Sequence, residues 1–186
     1  YVIAAIQTYA AINLNNFART LRYSRLINDI DNAEASIISN ETTIELIKYI
    51  TPALNTSQNL TIDFKSPLTA EVPYLSDEHP IIDIHAVTST PFTYSGITNC
   101  VLEDNGNGIV RIVTAVGSNH KKIIDIGTVN YETGLVSINN FRISQFTGTS
   151  LKIYGIPRFK DITSKQNVIL NVVEPDIDIT IEQIRE

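Results

Sequence analysis

Tryptophan and methionine are absent from this chain, and cysteine occurs once, at Cys100. A lone cysteine closes no intrachain disulfide, so no disulfide framework holds the fold, and this usage fits a reducing compartment. Cations are scarce: Lys and Arg number 14 against 20 Asp and Glu, for a net charge of −6 and a pI near 5.0. Without a basic stripe to neutralise phosphates, the composition argues against nonspecific binding to nucleic acid or an anionic membrane. No apolar run approaches the roughly 20 residues of a membrane-spanning helix, and no basic segment precedes an apolar run as in a secretory leader. The missing methionines include an initiator, so a chain opening on Tyr1 reads as a piece of something longer.

What the chain does contain is apolar and β-branched. Of its 186 residues 43% are hydrophobic, enough for a sizeable core in one domain or two small ones. The N-terminal part reads as helical. In residues 2–18, Val2, Ile6, Tyr9 and Ala10 recur at helical spacing among alanines, and Asn13, Asn15 and Asn16 weaken the end. A second helix is predicted over 21–33, capped by Thr20, with Tyr23, Leu26, Ile27 and Ile30 on one stripe. Residues 43–51 favour a strand that Pro52 ends, and 60–64 alternate cleanly, which predicts a hairpin between the two.

The remainder reads as antiparallel β structure. The clearest signal is 127–138, a hairpin closed by Glu132, Thr133 and Gly134, with Gly134 in the left-handed position and Tyr131 opposite Leu135. In that register Ile124, Ile126, Thr128, Val136 and Ile138 share one face, and Val129, Tyr131 and Leu135 the other. Strands are predicted at 81–87, 96–103, 109–116, 122–130, 135–141, 149–156, 167–173 and 176–184, a spacing typical of sandwiches and barrels. In the last, Ile177, Ile179 and Ile181 are expected to face the core, with Asp176, Asp178, Thr180 and Glu182 outward. The expected fold is α+β: a helical segment plus hairpin over 1–66, a proline-containing linker or loop over 67–80, and an antiparallel β domain over 81–186.

No chemical motif interrupts this pattern. His79, Asp83 and His85 resemble metal ligands, but no further thiolate or histidine stands nearby in sequence, and a polar strand face beside a proline turn accounts for them. His120 reads as solvated in its Ser-Asn-His-Lys loop. Residues 103–108 resemble the start of a calcium loop, yet the twelfth position from Asp104 is Ala115 and the flanking patterns are strands. Cys100 reads as a small buried hydrophobe. No nucleophile elbow or phosphate loop is present, and Glu132, Asp176 and Asp178 cannot be placed across a cleft as glycosidase carboxylates. The expectation is no catalytic residue, no cofactor, no metal and no small-molecule substrate.

Five stretches, taken in order, resemble the C-terminal part of the baseplate wedge proteins of T4-like contractile-tailed phages. They are residues 23–31 with 36–39, 102–108 (Leu-Glu-Asp-Asn-Gly-Asn-Gly), 126–134 (Ile-Gly-Thr-Val-Asn-Tyr-Glu-Thr-Gly), 151–154 and 181–185. Each is a turn or strand phrase, and the specificity lies in their order. The resemblance implies a structural virion protein in the tail baseplate, assembled in the host cytoplasm, that pairs as a homodimer, joins other wedge proteins and links wedges into a ring. On the residues alone, a carbohydrate-binding or adhesin β domain stays open as the alternative, with Tyr74, Phe92 and Tyr94 as its aromatic platform, and a hydrolase with an unrecognised carboxylate pair is a third. The interface expected from the first helix consists of Val2, Ile6 and Tyr9, an apolar stripe free to meet another chain or segment.

Overall fold

The computed structural model describes residues 1–70, 85–116, 119–164 and 168–180. They form two compact units, one of residues 1–43 with the chain from 160 onward and one of residues 44–159. The division does not fall at 67–80: residues 44–66 belong with the strands, and the C-terminal stretch belongs with the helices.

In the first unit, α1 (Val2–Asn13) packs on α2 (Tyr23–Asp31). Helix α1 stops at the asparagines, whose side chains compete for backbone hydrogen bonds: the Asn13 amide donates to the Tyr9 carbonyl at 2.9 Å. Thr20 does not cap α2. It lies in a short strand, β1 (Thr20–Leu21), which pairs antiparallel with the last described strand of the chain, Ile162–Thr163. Asp161 performs the capping role instead: its carboxylate accepts the Tyr23 amide and the Arg22 guanidinium, both at 2.9 Å. Buried Tyr9, Leu14, Leu26 and Ile30 come from the two helices and the turn after α1.

The second unit is a ten-stranded sheet of β2 (Leu46–Ile50), β3 (Gln58–Asp63), β4 (Val87–Ser89), β5 (Phe92–Tyr94), β6 (Ile97–Asp104), β7 (Ile109–Val116), β8 (Asn119–Asn130), β9 (Leu135–Phe141), β10 (Gln145–Phe146) and β11 (Leu151–Gly155). The strand Ile162–Thr163 is β12. The main path runs β2-β11-β4-β6-β7-β8-β9-β3, with β5 and β10 paired beside it and every pair antiparallel. The path curls toward closure: beyond β3, Leu68 bridges Pro157, and the Thr69 amide donates to the Ile156 carbonyl at 2.9 Å. The architecture is thus α+β with β dominant.

Two pairings differ from the sequence expectation. Strands β2 and β3 form where predicted but not as a hairpin, because β2 pairs β11 and β3 pairs β9. Alternation marks a strand and leaves its partner undetermined. In the β8–β9 hairpin the register is one residue off: Asn130, not Tyr131, faces Leu135. The reason is local. The Asn130 side chain accepts the amides of Glu132 and Thr133, and its carbonyl accepts the Gly134 amide at 2.8 Å, closing a four-residue loop. Gly134 holds φ +71, as expected of the left-handed position.

The slip has a consequence for the core. β7 pairs Val110 with Gly127 but Arg111 with Asp125, so Ile126 is an extra residue in a bulge. The bulge turns Ile126 and Val129 to the same side, where they join Val136 and Ile138 in the core, leaving Ile124 and Leu135 at the surface. At the C-terminus no strand forms over 168–180. Glu174–Asp176 is a 3-10 turn around Pro175, and Ile179 is exposed rather than inward. Pro175 lacks the amide a ladder needs, and an alternating pattern becomes a strand only where a sheet edge receives it. Ile181 and Glu182 lie outside the described residues.

Candidate functional site

The sequence-derived interface divides once placed in three dimensions. Tyr9 is 2% exposed, and its hydroxyl accepts the Arg22 amide at 2.7 Å while donating to the Arg22 carbonyl at 3.1 Å. It is a brace between α1 and the start of α2. Val2 and Ile6 lie on the same side of α1 and are half-buried. At 100° per residue Tyr1, Ala4, Thr8, Ala11 and Ile12 lie roughly 90–170° around the helix from that stripe, and all five are exposed.

That outer face is apolar where a solvated helix is usually charged. Helix α1 contains no charged residue along its length. Among the described residues, the four most exposed large apolar side chains are Tyr1 (87%), Ile38 (81%), Ile12 (68%) and Phe17 (59%), all within the first 49 residues. Beside α1 runs an open groove of about 560 Å³, with Ala4, Thr8 and Ile12 on one wall and Arg25, Asn28 and Asp29 of α2 on the other. Small Ala4 and Thr8 permit close approach of another helix. Of the stripe that sequence periodicity marks, Tyr9 is buried within the unit, and Val2 and Ile6 are half-buried. The absence of charge from every face of α1 was the signal that two faces need covering.

The sheet unit holds a second arrangement that sequence reading missed. Glu103 of β6 is 1% exposed and lies opposite Arg111 of β7. Its Oε1 accepts Arg111 Nε at 2.9 Å and Nη2 at 2.7 Å; its Oε2 accepts His120 Nδ1 at 2.6 Å, with His85 Nε2 at 3.2 Å. The chain pattern around His85 offered no partners, yet the β6–β7–β8 meander brings Glu103 and His120 to it. His120 is therefore paired rather than simply solvated. His79 and Asp83 lie outside the described residues. Within the described residues, His85, Glu103 and His120 form the group whose donor atoms converge, all within 4.8 Å of one another.

Asp104, next along β6, serves the turn and not a calcium loop. Its Oδ1 accepts the Val87 amide at 2.8 Å, and its Oδ2 accepts the Gly106 amide at 3.0 Å and the Tyr131 hydroxyl at 2.6 Å. Burial pushes the Tyr131 phenol well above its ordinary range, and the hydrogen bond to Asp104 adds to the effect. Burial likewise raises the Cys100 thiol, which is inaccessible and donates to the Ile97 carbonyl at 3.2 Å. Of the expected aromatic platform, Tyr74 lies outside the described residues, Phe92 is buried edge-on against Phe141, and Tyr94 packs on the core.

Residues 1–49, which contain α1, α2 and the four most exposed apolar side chains, match the family described as baseplate structural protein gp6, C-terminal domain III. No curated protein matches the chain. The matched family is one of baseplate structural proteins, which implies a place in the tail baseplate among other baseplate proteins. Over this N-terminal segment the chain is similar to the baseplate structural proteins, in line with the resemblance carried by the ordered phrases of its sequence.

Proposed function

We propose that the chain is a non-enzymatic joint of the baseplate wedge, which self-associates as a homodimer through the outer face of α1. In this reading Tyr1, Ala4, Thr8 and Ile12 of one copy meet the same residues of another about a two-fold axis, with Val2 and Ile6 at the edge of the contact. Dimers so formed link neighbouring wedge proteins into a ring around the tail hub. Assembly takes place in the host cytoplasm, without nucleic acid, membrane or small-molecule substrate.

The observation that carries this reading is the exposure of Tyr1, Ile3 and Ile12 on and beside an uncharged helix, within the segment matched to baseplate proteins. Apolar patches of this kind mark protein–protein contacts. Incorporation into baseplate wedges reconstituted from their purified components tests it. The native chain enters the assembly, and Ile12→Glu, which puts a charge on the outer face, is excluded from it while its circular dichroism stays native. Normal incorporation of Ile12→Glu rejects the α1 face as the joint.

A further inference from the structure

We propose that His85 Nε2, Glu103 Oε2 and His120 Nδ1 form a binding site for one divalent transition ion of the zinc type, which clips β6 to β8 and to the segment entering β4. The donor set is two imidazoles and one carboxylate, a combination suited to zinc when a fourth position is left to water. The proposal stands apart from the α1 interface and needs none of its residues.

Three features of the geometry carry it. The first is the orientation of His85. Its Nδ1 lies 2.7 Å from the Asp104 carbonyl oxygen, which only accepts, so Nδ1 holds the proton and donates it. In the neutral ring the lone pair is then on Nε2, 3.2 Å from a carboxylate oxygen. A cation shared by the two, whether a proton or a metal ion, satisfies both groups at that distance. A histidine that donates its other N–H to a backbone carbonyl is also the arrangement by which metal-ligating imidazoles are held.

The second is the division of labour on Glu103. Arg111 occupies Oε1 with both of its contacts, so the carboxylate is fixed and Oε2 alone faces the imidazoles. The third is the spacing. Tetrahedral zinc with bonds near 2.1 Å separates its ligand atoms by about 3.4 Å. The His85–Glu103 distance of 3.2 Å already meets this. His120 Nδ1, at 2.6 Å from Oε2, has to move away by about 0.8 Å and pass its proton to Nε2 by exchange with solvent, so that the ligating ring stays neutral. The two rings lie nearly parallel, at 10°, with centroids 6.3 Å apart, and the His120 side chain is about one-third exposed, which gives an entry path. The nearby Arg111 charge opposes a dication, so affinity is expected to be moderate and set by His120, the ligand nearest solvent.

The test uses the full chain stripped with chelator and then dialysed free of it. Isothermal titration with Zn²⁺ is expected to show one equivalent bound, with affinity falling at least tenfold in His120→Ala. Co²⁺ added to the native chain is expected to give the intense visible bands of a tetrahedral ion, lost in the same variant. Because His120 is at the surface, this variant keeps the fold, checked by its far-UV spectrum. The Co²⁺ spectrum of the native chain stands as a second readout that needs no substitution. Absence of a saturable one-to-one site in the native chain, an octahedral Co²⁺ spectrum, or affinity unchanged in His120→Ala overturns the proposal.

Discussion

Tyr9 and Arg22 are joined by two hydrogen bonds through a single hydroxyl, which accepts the Arg22 amide and donates to the Arg22 carbonyl. The relationship turns a residue that helical spacing assigned to an external stripe into the internal brace of the helical pair. Tyr9→Phe keeps the ring and removes both bonds, leaving a backbone amide unsatisfied. The expected loss is about 1–3 kcal/mol, the penalty for a buried polar group left without a partner. Denaturant unfolding followed by α-helical ellipticity measures it. A change below a few tenths of a kcal/mol would show that the brace contributes nothing.

Asp161 stabilises the start of α2 in a pH-dependent way. The Tyr23 amide, and then the Arg22 guanidinium, hold its carboxyl below the usual range. A group depressed in the folded state contributes stability above its unfolded pKa, near 3.9 for Asp, and that contribution is lost as pH falls through the folded value. Asp161→Asn is therefore expected to narrow its stability difference from the native chain as pH drops from 6 to 3. A difference that stays constant over that window contradicts the assignment.

Tyr131 acts in the opposite sense. Its phenol is raised, first by burial and then by its bond to Asp104. The stability tied to the neutral phenol is fully present below the unfolded value, near 10, and is lost as pH rises beyond it. In Tyr131→Phe this alkaline loss is absent, so the two stability curves run parallel below about pH 9.5 and converge above it. Parallel curves to pH 11 would place Tyr131 outside the network.

Gly134 combines positive φ with close approach. An added Cβ there would collide with the Ser66 carbonyl oxygen and press on Phe64. Gly134→Val adds left-handed strain of about 1–2 kcal/mol to an overpacking cost of about 1–3, so thermal unfolding is expected to show a loss of about 2–5 kcal/mol. A loss under 1 kcal/mol would mean that the loop relaxes away from Ser66.

These cases show what the sequence carries. Local information was sufficient for β7 and β9, predicted at 109–116 and 135–141 and found over those residues, because alternation, β-branching and flanking turns all agree there. Ile126, Val136 and Ile138 are legible as core for the same reason. Pairing is not local. Nothing in 46–50 points to Leu151–Gly155 as its neighbour, and nothing near His85 points to Glu103 and His120. The hairpin register turned on one side chain, Asn130, whose two amide contacts lengthen the loop by a residue. The exposed face of α1 was legible in principle: a charge-free helix has no face suited to water, and one covered stripe leaves the other unexplained.

The central claim, self-association through the outer face of α1, is tested most directly by sedimentation equilibrium of the purified chain over a range of concentrations. The native chain is expected to reach twice its 20.6 kDa mass, and Ile12→Glu to remain at 20.6 kDa throughout with its secondary structure unchanged. A native chain that stays at 20.6 kDa at every concentration, or an Ile12→Glu chain that dimerises as the native one does, contradicts the account.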